Sequence, residues 1–418
     1  MVRHVFVLYP EAGTDPETAE PYDSVTTNRE EECMRQPKPK KTKSLSKVAA
    51  KTVTRRNFLT TAAAATAGTA ALGFPMISRA APVQFKFQST WPAADIFHEY
   101  ALDFAKKVQE MSSGGLKIEV LPSGSVAKPL ELLDAVNKNT LDGAHGVVAY
   151  HYGKQHALAL WGSGPAFGMD PNMVLAWHYY GGGKELLAEI YKSINMNVVS
   201  FLYGPMPTQP FGWFKKPVSK VDEMKGVKFR TVGLATDIYT DIGAAVQPLG
   251  AADIVPSLER GVIDAAEFNN ASSDRLLGFP KVAKYCMLQS FHQSAEQFEV
   301  LFNKTKYDGL PAELKSVIKY AIEASSADMS WKAVDRYSKD HKEMAEKQGV
   351  KFLKTPDDIL MRQLESWDKI TAKKSAENPM FKKIYESMRV FAQRAGSWQN
   401  QTAVDYKMAY SHFFPKKG

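Results

Sequence analysis

Two short stretches near the middle of the chain combine residues that suit the binding of a small charged molecule. The first, 226–233, alternates apolar and polar residues like a short strand and carries the guanidinium of Arg230. The second, 264–270, begins as a short apolar strand and contains Glu267. Because strand ends in α/β proteins deliver side chains to a crevice, we expect Arg230 to lie at a cleft, where its planar guanidinium matches a carboxylate. The alternative is an ordinary surface arginine at a strand end.

The segments around these stretches follow the alternation of strand and helix that is typical of an α/β protein. Between the two stretches lies a helix-sized segment, 253–264, which Gly261 stops. From residue 83 onward the pattern predicts strand, helix, strand, helix and strand at 83–88, 96–111, 117–121, 130–136 and 143–148. This order implies right-handed crossovers in a largely parallel sheet.

Length and composition favour a globular protein with more than one core. The chain has 418 residues, of which 44% are hydrophobic, and this is enough for two lobes. The formal net charge is +8, but half of this excess lies in residues 1–80, and the remainder has no dense basic run. We therefore expect no nucleic-acid binding. Cys33 lies in the first 80 residues and Cys286 is alone in the rest, so we expect no intrachain disulfide after export.

Several motifs give the chain a family resemblance. Phe229-Arg230 and the segments 258–265 and 281–285 resemble solute-binding proteins of TRAP transporters, which are ion-driven importers of organic acids. Three further segments, 161–171, 177–183 and 211–216, are similar to the branch that binds 2-oxo or 2-hydroxy monocarboxylates together with a cation. The resemblance runs from about Phe85 to Phe414.

The resemblance implies an α/β fold of the two-lobed periplasmic-binding-protein type, a clamp with a long helix across both lobes. We expect lobe I to comprise 82–203 plus 296–330 and lobe II to comprise 204–295 plus 331–380. The helical pattern 311–348, which begins at a proline and ends before a glycine, is the spanning helix. A helical C-terminal tail, 381–418, follows, with predicted breaks near Asn378 and Gly396.

The resemblance also implies a ligand site with a cation. The branch uses glutamine, arginine and glutamate in this chain order, followed by an aromatic residue, and the matching residues are Gln209, Arg230, Glu267 and Phe268. Arg230 would hold the carboxylate of the ligand, and Na⁺ or Ca²⁺ would bridge that carboxylate to Glu267, with oxygens from Gln209 and the Phe268 main chain. One carboxylate suits Na⁺, whereas a chelating hydroxy acid suits Ca²⁺. The alternative is that Glu267 pairs with a lysine outside any pocket.

One arginine–carboxylate pair is too weak for micromolar affinity, so the opposing lobe must add contacts. The candidate ligand contacts beyond Arg230 and Gln209 are Asn270 and four aromatic residues: Trp91, Tyr150, Phe167 and Trp213. Each aromatic residue is equally compatible with a position in a core.

The N-terminal region reads as an export leader. Residues 1–53 are polar and without apolar periodicity, as in a disordered extension, and Met34 is an alternative start. Residues 54–80 contain Arg55-Arg56, a modest apolar run and a small-residue cleavage pattern before Ala81, which together predict a twin-arginine signal peptide and a periplasmic protein. The alternative is an uncleaved membrane anchor.

The tail after residue 380 is rich in large apolar residues, too many to leave exposed. Either the tail packs on its own lobes or it mediates a homodimer. In the resembling branch, subunits exchange helices at this end, which favours the homodimer.

The sequence after residue 80 carries none of the nucleophile-elbow, zinc-protease, Walker or dinucleotide-binding motifs. Its histidines also lack metal-site spacing. We therefore predict that the protein is not an enzyme but a periplasmic receptor, which hands a monocarboxylic acid to TRAP membrane permease subunits. The alternatives are an exported enzyme and a chemosensory ligand-binding protein.

Overall fold

The structure is a computed structural model that describes residues 81–415. The predicted leader extension and twin-arginine signal fall on residues 1–80 and lie outside the described residues. The strands of the described part are β1 (Val83–Ser89), β2 (Leu116–Leu121), β3 (Gly143–Gly146), β4 (Val198–Met206), β5 (Gly212–Phe214), β6 (Lys228–Arg230), β7 (Ala245–Gln247), β8 (Ala265–Ala266), β9 (Tyr285–Leu288), β10 (Glu296–Asn303) and β11 (Lys351–Lys354).

Helices connect and cover these strands. The α-helices between residues 81 and 415 are α1 (Ile96–Met111), α2 (Leu132–Asn137), α3 (Pro171–Tyr180), α4 (Gly183–Ser193), α5 (Ala235–Asp241), α6 (Ala251–Glu259), α7 (Ala271–Leu277), α8 (Phe279–Val282), α9 (Lys304–Asp308), α10 (Ala312–Lys347), α11 (Asp357–Glu377), α12 (Pro379–Thr402) and α13 (Tyr406–Phe413). Short 3₁₀ helices lie at Pro129–Glu131, Val148–His151, His156–Trp161, Ala166–Gly168 and Val221–Met224. None of these helices combines the length and apolar content that a membrane span needs.

The strands form two sheets, which confirms the two-lobed α/β prediction. The first sheet has the order β2-β1-β3-β10-β4, and the second has the order β11-β9-β5-β8-β6-β7. In the first sheet β1 runs parallel to β2 and β3, as the sequence predicts, but β10 is antiparallel to both β3 and β4. The antiparallel pairs arise because β10 is the strand by which the chain returns from the second sheet. The strand β4 continues to Met206, beyond the predicted lobe boundary at 203; the lobe boundaries stay a prediction.

Local signals in the sequence explain where the main helices begin. The Asp95 carboxylate caps α1 by accepting from the Phe97 amide at 3.1 Å, and Asp170 caps α3 by accepting from the Met173 amide at 2.8 Å. Asn270 caps α7 in the same way, accepting from the amides of Ser272 and Ser273 at 3.0 Å each. These caps fix where the three helices begin.

The long helix α10 is the spanning element that the sequence predicts at 311–348. It packs against α1 and β4 on the side of the first sheet and against α7 on the side of the second sheet. Pro311 precedes its first residue, where the missing amide hydrogen costs no hydrogen bond, and Gly349 follows its end with φ +66°.

The C-terminal region is helical, as predicted, but its breaks differ from the prediction. The break at Asn378 is present between α11 and α12, whereas α12 continues through Gly396 to Thr402. A single glycine costs about 1 kcal/mol in a helix interior, which a helix of 24 residues absorbs. The first part of α12 buries Phe381, Ile384 and Met388. Beyond it the chain exposes Trp398, Tyr406, Met408, Tyr410, Phe413 and Phe414.

Candidate ligand and cation site

A small cavity lies between the two sheets. The β1–β3 region of the first sheet and the ends of β6 and β8 in the second sheet form its walls. Its lining residues are Trp91, Phe97, Val147, Tyr150, Gln209, Arg230, Val232, Glu267, Phe268, Asn269, Gln293 and Glu296. The cavity thus collects the four residues predicted to hold an acid and a cation.

Arg230, the last residue of β6, is 1% exposed and is held on one side only. Its Nε donates to the Leu249 carbonyl at 2.9 Å, and its Nη1 donates to Glu267 Oε1 at 2.9 Å and to the Glu267 carbonyl at 3.2 Å. The Phe268 ring lies under the guanidinium, with its centroid 5.6 Å from Cζ. The remaining nitrogen, Nη2, is buried without a hydrogen-bond partner in the described part of the chain. Arg230 is therefore fixed in position and keeps one donor nitrogen for a further acceptor.

Three buried oxygen atoms of the cavity residues also lack partners among residues 81–415. They are Glu267 Oε2, Gln209 Oε1 and Gln293 Oε1. A buried polar atom without a partner costs about 1–3 kcal/mol, so native proteins contain few of them. Their concentration around one cavity indicates a bound group that offers positive charge or hydrogen-bond donors. Oxygen atoms of carboxylate and amide groups fit a hard cation such as Na⁺ or Ca²⁺.

The donor set consists mainly of amide and main-chain groups. Within residues 81–415, no three His, Cys, Asp or Glu side chains are grouped to hold a metal ion. Gln209 and Gln293 lie on the two segments that connect the sheets, between β4 and β5 and between β9 and β10. A main-chain hydrogen bond joins the two segments, because the main-chain N–H of Gln209 donates to the main-chain carbonyl of Gln293 at 3.2 Å. The candidate cation ligands are therefore carried partly by the connections between the lobes.

Glu296, a second buried carboxyl at the cavity, is absent from the sequence-based site. It accepts from Gln209 Nε2 at 3.0 Å and from Gln293 Nε2 at 3.4 Å. Burial raises its pKa to about 8, and the neighbouring charge of Glu267 adds to this effect. The strand β10 also carries Gln297, Glu299 and Asn303, so no signal in the sequence singled out Glu296, and none singled out Gln293.

Two of the four predicted aromatic contacts line the cavity. The indole of Trp91 is fixed by its Nε1, which donates to His145 Nδ1 at 2.9 Å, and His145 Nε2 lies 2.7 Å from the Tyr203 hydroxyl. Burial lowers the pKa of His145 to about 3, so the ring is neutral and its Nδ1 accepts this bond. Burial raises the pKa of Tyr150 to about 12, which keeps its hydroxyl protonated.

Three predicted contacts, Phe167, Trp213 and Asn270, do not line this cavity, and their role as ligand contacts stays a prediction. Phe167 packs against Tyr385 of α12, with ring centroids 4.7 Å apart. Trp213 is fully buried behind the site and donates from Nε1 to Asp274 Oδ2 at 2.6 Å. Asn270 uses its side-chain oxygen to cap α7. In each case the residue type suits a ligand, but a core or a helix start uses the side chain.

The comparison with protein families agrees with this geometry. Residues 87–378 match the model of the DctP family, described as bacterial extracellular solute-binding protein, family 7. A relative from Nostoc sp., named a monocarboxylate 2-oxoacid-binding periplasmic protein, is 30% identical over 362 residues, covering 84% of this chain and 98% of the relative.

Solved structures with the same fold include TRAP solute-binding proteins. One from Pseudoalteromonas atlantica, with bound sodium and pyruvate, is 28% identical with a TM-score of 0.73, covering 80% of this chain and 100% of that chain. One from Bordetella bronchiseptica, a dimer with calcium and picolinate at its active site, is 25% identical with a TM-score of 0.74, covering 80% of this chain and 97% of that chain. The family match spans most of the described residues, and the Nostoc relative aligns over nearly its whole length, so the chain belongs to the DctP family of extracellular solute-binding proteins.

Proposed function

We propose that this protein binds a small 2-oxo or 2-hydroxy monocarboxylate together with Na⁺ or Ca²⁺ and delivers it to the membrane permease subunits of a TRAP transporter. The observation that carries the proposal is the set of unpaired buried atoms at one cavity, namely Arg230 Nη2 and three side-chain oxygens. The 2-oxoacid name of the Nostoc relative and the pyruvate in the neighbouring structure support the ligand class.

Side chains with donor groups bind the acid, and side chains with oxygen atoms bind the cation. Arg230 Nη2 donates to the acid's carboxylate, and Trp91 and Tyr150 form walls that exclude water. Glu267, Gln209 and the Phe268 main-chain carbonyl are the cation ligands, and Gln293 offers a further oxygen. When bound, the cation offsets the repulsion between Glu267 and the acid's carboxylate. With Glu296 protonated near neutral pH, Glu267 is the one charged acid of the cavity lining, which suits Na⁺, whereas a chelating hydroxy acid suits Ca²⁺.

The test is calorimetric titration of the metal-stripped protein with lactate, pyruvate and longer 2-oxo acids, with and without Na⁺ or Ca²⁺. We expect at least one acid to bind tightly only when one of the cations is present. Full affinity in chelator and sodium-free buffer would exclude the cation. Failure of every small monocarboxylate with both cations would exclude the ligand class, and turnover of the bound acid would favour the exported enzyme.

The route of export belongs to the same proposal. The family is extracellular by description. Arg55-Arg56 in the predicted signal, residues 54–80, supports the twin-arginine route to the periplasm. Replacing both arginines by lysine should leave the precursor in the cytoplasm, as seen by fractionation. Normal periplasmic yield of that variant would exclude the route.

We also propose a homodimer. The helix α13 exposes large apolar residues, including Tyr406, Tyr410 and Phe413, which are 64% to 75% exposed. Exposed apolar surface of this kind marks contact sites. The Bordetella neighbour was crystallised as a dimer, which supports a second copy of the chain as the partner.

A further inference from the structure

The imidazole of His292 lies next to Glu267 but does not line the cavity. Both side chains are buried, with exposed fractions of 0% and 1%. His292 Nε2 lies 3.9 Å from Glu267 Oε2, and neither atom has a hydrogen-bond partner among residues 81–415. Since N–H···O bonds span about 2.7–3.2 Å, the pair is about 1 Å too far apart for a hydrogen bond. A small rotation of either side chain would join the two atoms.

The other ring nitrogen of His292 is held from behind. Ser290 Oγ lies 2.6 Å from His292 Nδ1, and it also accepts from Gln363 Nε2 at 2.8 Å. Gln363, on α11, is fully buried, and its Oε1 accepts from the Phe291 amide at 2.9 Å. Ser290 Oγ also lies 3.1 Å from Gln363 Oε1, so its hydrogen can be donated to either Nδ1 or Gln363. In the tautomer in which Ser290 donates to Nδ1, the ring proton lies on Nε2 and faces Glu267.

We propose that His292 is a positioning residue for the cation site: its Nε2–H donates to Glu267 Oε2 and fixes that oxygen for the cation. This proposal rests on the proposed function. Glu267 Oε1 is already held by Arg230, so Oε2 is the oxygen left for a cation. A carboxylate oxygen has two lone pairs and accepts a hydrogen bond while it binds a cation. Residues that orient metal ligands in this way typically change metal affinity by about 10–100-fold.

Two substitutions separate the positioning role from a packing role. The amide nitrogen of glutamine reaches about as far from the backbone as Nε2 of histidine, whereas the amide of asparagine reaches only as far as Nδ1. His292→Gln thus keeps a donor toward Glu267, and His292→Asn keeps only the contact with Ser290. The matched control is His178→Asn. His178 is 1% exposed and accepts from Trp161 Nε1 at 3.2 Å, in the core beneath α3.

The measurement is the cation concentration that gives half-maximal acid binding, together with the melting temperature of each ligand-free variant. We expect His292→Asn to need about 10–100-fold more cation than the wild type. We expect His292→Gln to stay within about threefold, and His178→Asn to change only the melting temperature. Equal cation requirements for wild type and His292→Asn would overturn the proposal. The proposal would also be overturned if His292→Gln, or the control His178→Asn, needed as much additional cation as His292→Asn.

If His292→Asn does not fold, Gln363→Met decides the question, because it removes the support of Ser290 and leaves the imidazole in place. We expect it to raise the cation requirement in the same direction by at least about threefold. An unchanged requirement would overturn the proposal. Wild-type protein that binds no acid with either cation would instead reject the proposed function, so the two failures are distinguishable.

Discussion

Arg230 and Glu267 form a buried ion pair, and each side chain has one polar atom without a hydrogen-bond partner among residues 81–415. A buried charge without its partner typically costs 3–5 kcal/mol, so Arg230→Ala would destabilise the fold as well as the site. Arg230→Lys keeps the charge beside Glu267 but loses the fork that bonds to Leu249, to Glu267 and to a ligand. Charged hydrogen bonds contribute about 1.5–3 kcal/mol each, so we expect affinity for the acid to fall about 10- to 100-fold by calorimetry.

The matched control for this substitution is Arg275→Lys. Arg275 pairs with Asp340 at 3.0 Å, on the contact between α7 and α10, and it does not line the cavity. We expect this variant to bind the acid as the wild type does. Wild-type affinity in Arg230→Lys would remove Arg230 from the ligand site.

Buried acids predict how stability depends on pH, and Asp95 gives the sharpest test. Burial raises its pKa from 3.8 to about 6, against the opposing bonds from Ser273 and the Phe97 amide. Between these values the folded chain binds more protons than the unfolded chain, so stability falls as pH rises from about 4 to about 6. Asp95→Asn keeps an oxygen for the helix cap and removes this titration. We expect its stability relative to wild type to rise by about 2 kcal/mol between pH 4 and pH 7, measured by urea unfolding.

The control for this pH profile is Asp170→Asn. Asp170 also caps a helix but is exposed, so the substitution removes no buried carboxylate. We expect the stability difference between Asp170→Asn and the wild type to be the same at pH 4 and pH 7. A flat difference for Asp95→Asn would show that the buried carboxyl does not titrate in this range.

At the residue scale, the charged residues of the predicted site lie together, whereas the predicted aromatic residues do not all join them. Gln209, Arg230, Glu267 and Phe268 follow a spacing that a motif preserves, and all four line one cavity. Aromatic identity does not show whether a side chain faces a core or a cleft. Phe167 and Trp213 pack against other side chains and do not line the cavity, so their role as ligand contacts stays a prediction. Glu296 reaches the cavity through a tertiary arrangement that no local pattern encodes.

At the scale of elements, three segments meet at one hydrogen-bonded cluster away from the cavity. The Tyr152 hydroxyl, just after the 3₁₀ helix Val148–His151, donates to Asp237 Oδ2 of α5 at 2.8 Å. Lys374 of α11 donates to the Tyr152 hydroxyl at 3.0 Å and lies 3.3 Å from Asp237 Oδ2. The predicted lobe boundaries assign Tyr152 to lobe I and Asp237 to lobe II, so we expect this cluster to stabilise a closed arrangement of the lobes.

This cluster predicts a kinetic effect of Tyr152→Phe. Removing one hydroxyl bond should destabilise the closed arrangement by about 1 kcal/mol, which corresponds to about a fivefold change. We expect the acid to dissociate about fivefold faster with little change in its association rate, followed by tryptophan fluorescence in stopped flow. Tyr180→Phe is the control, because Tyr180 is 90% exposed. An unchanged dissociation rate in Tyr152→Phe would mean that the cluster does not hold the lobes closed.

The sequence predicted helix ends well where proline or glycine marks them. It predicted strand ends poorly where tertiary contacts determine the backbone conformation. Pro311 and Gly349 bracket α10 within one residue of the predicted ends. By contrast, the predicted strand 143–148 ends at Gly146, and Val148–His151 forms a 3₁₀ helix. The first residue of this strand must be glycine, since a Cβ at position 143 would lie 2.1 Å from the Phe87 ring. Such a close approach of strands is not visible in a periodic pattern.

At the scale of the whole molecule, the exposed tail is the feature that one copy of the chain leaves unexplained. Tyr406, Tyr410 and Phe413 recur at the spacing of one helix face on α13, and all three are exposed. A homodimer would bury this face. We expect light scattering of the exported protein to give twice the mass of one chain. Deletion of residues 403–418 should give a monomer.

The control variants separate the apolar face from the length of the tail. Tyr410→Ser with Phe413→Ser keeps the tail but removes apolar area from the face. We therefore expect the dimer of this variant to dissociate at a higher protein concentration than the wild-type dimer. Lys407→Ala with Ser411→Ala changes another face of α13 and should leave the dimer intact. The acid-binding cavity is lined by residues 91–296, so affinity for the acid should be unchanged in the truncated monomer. A truncated protein that remains dimeric would place the interface elsewhere, and a monomeric full-length protein would exclude the dimer.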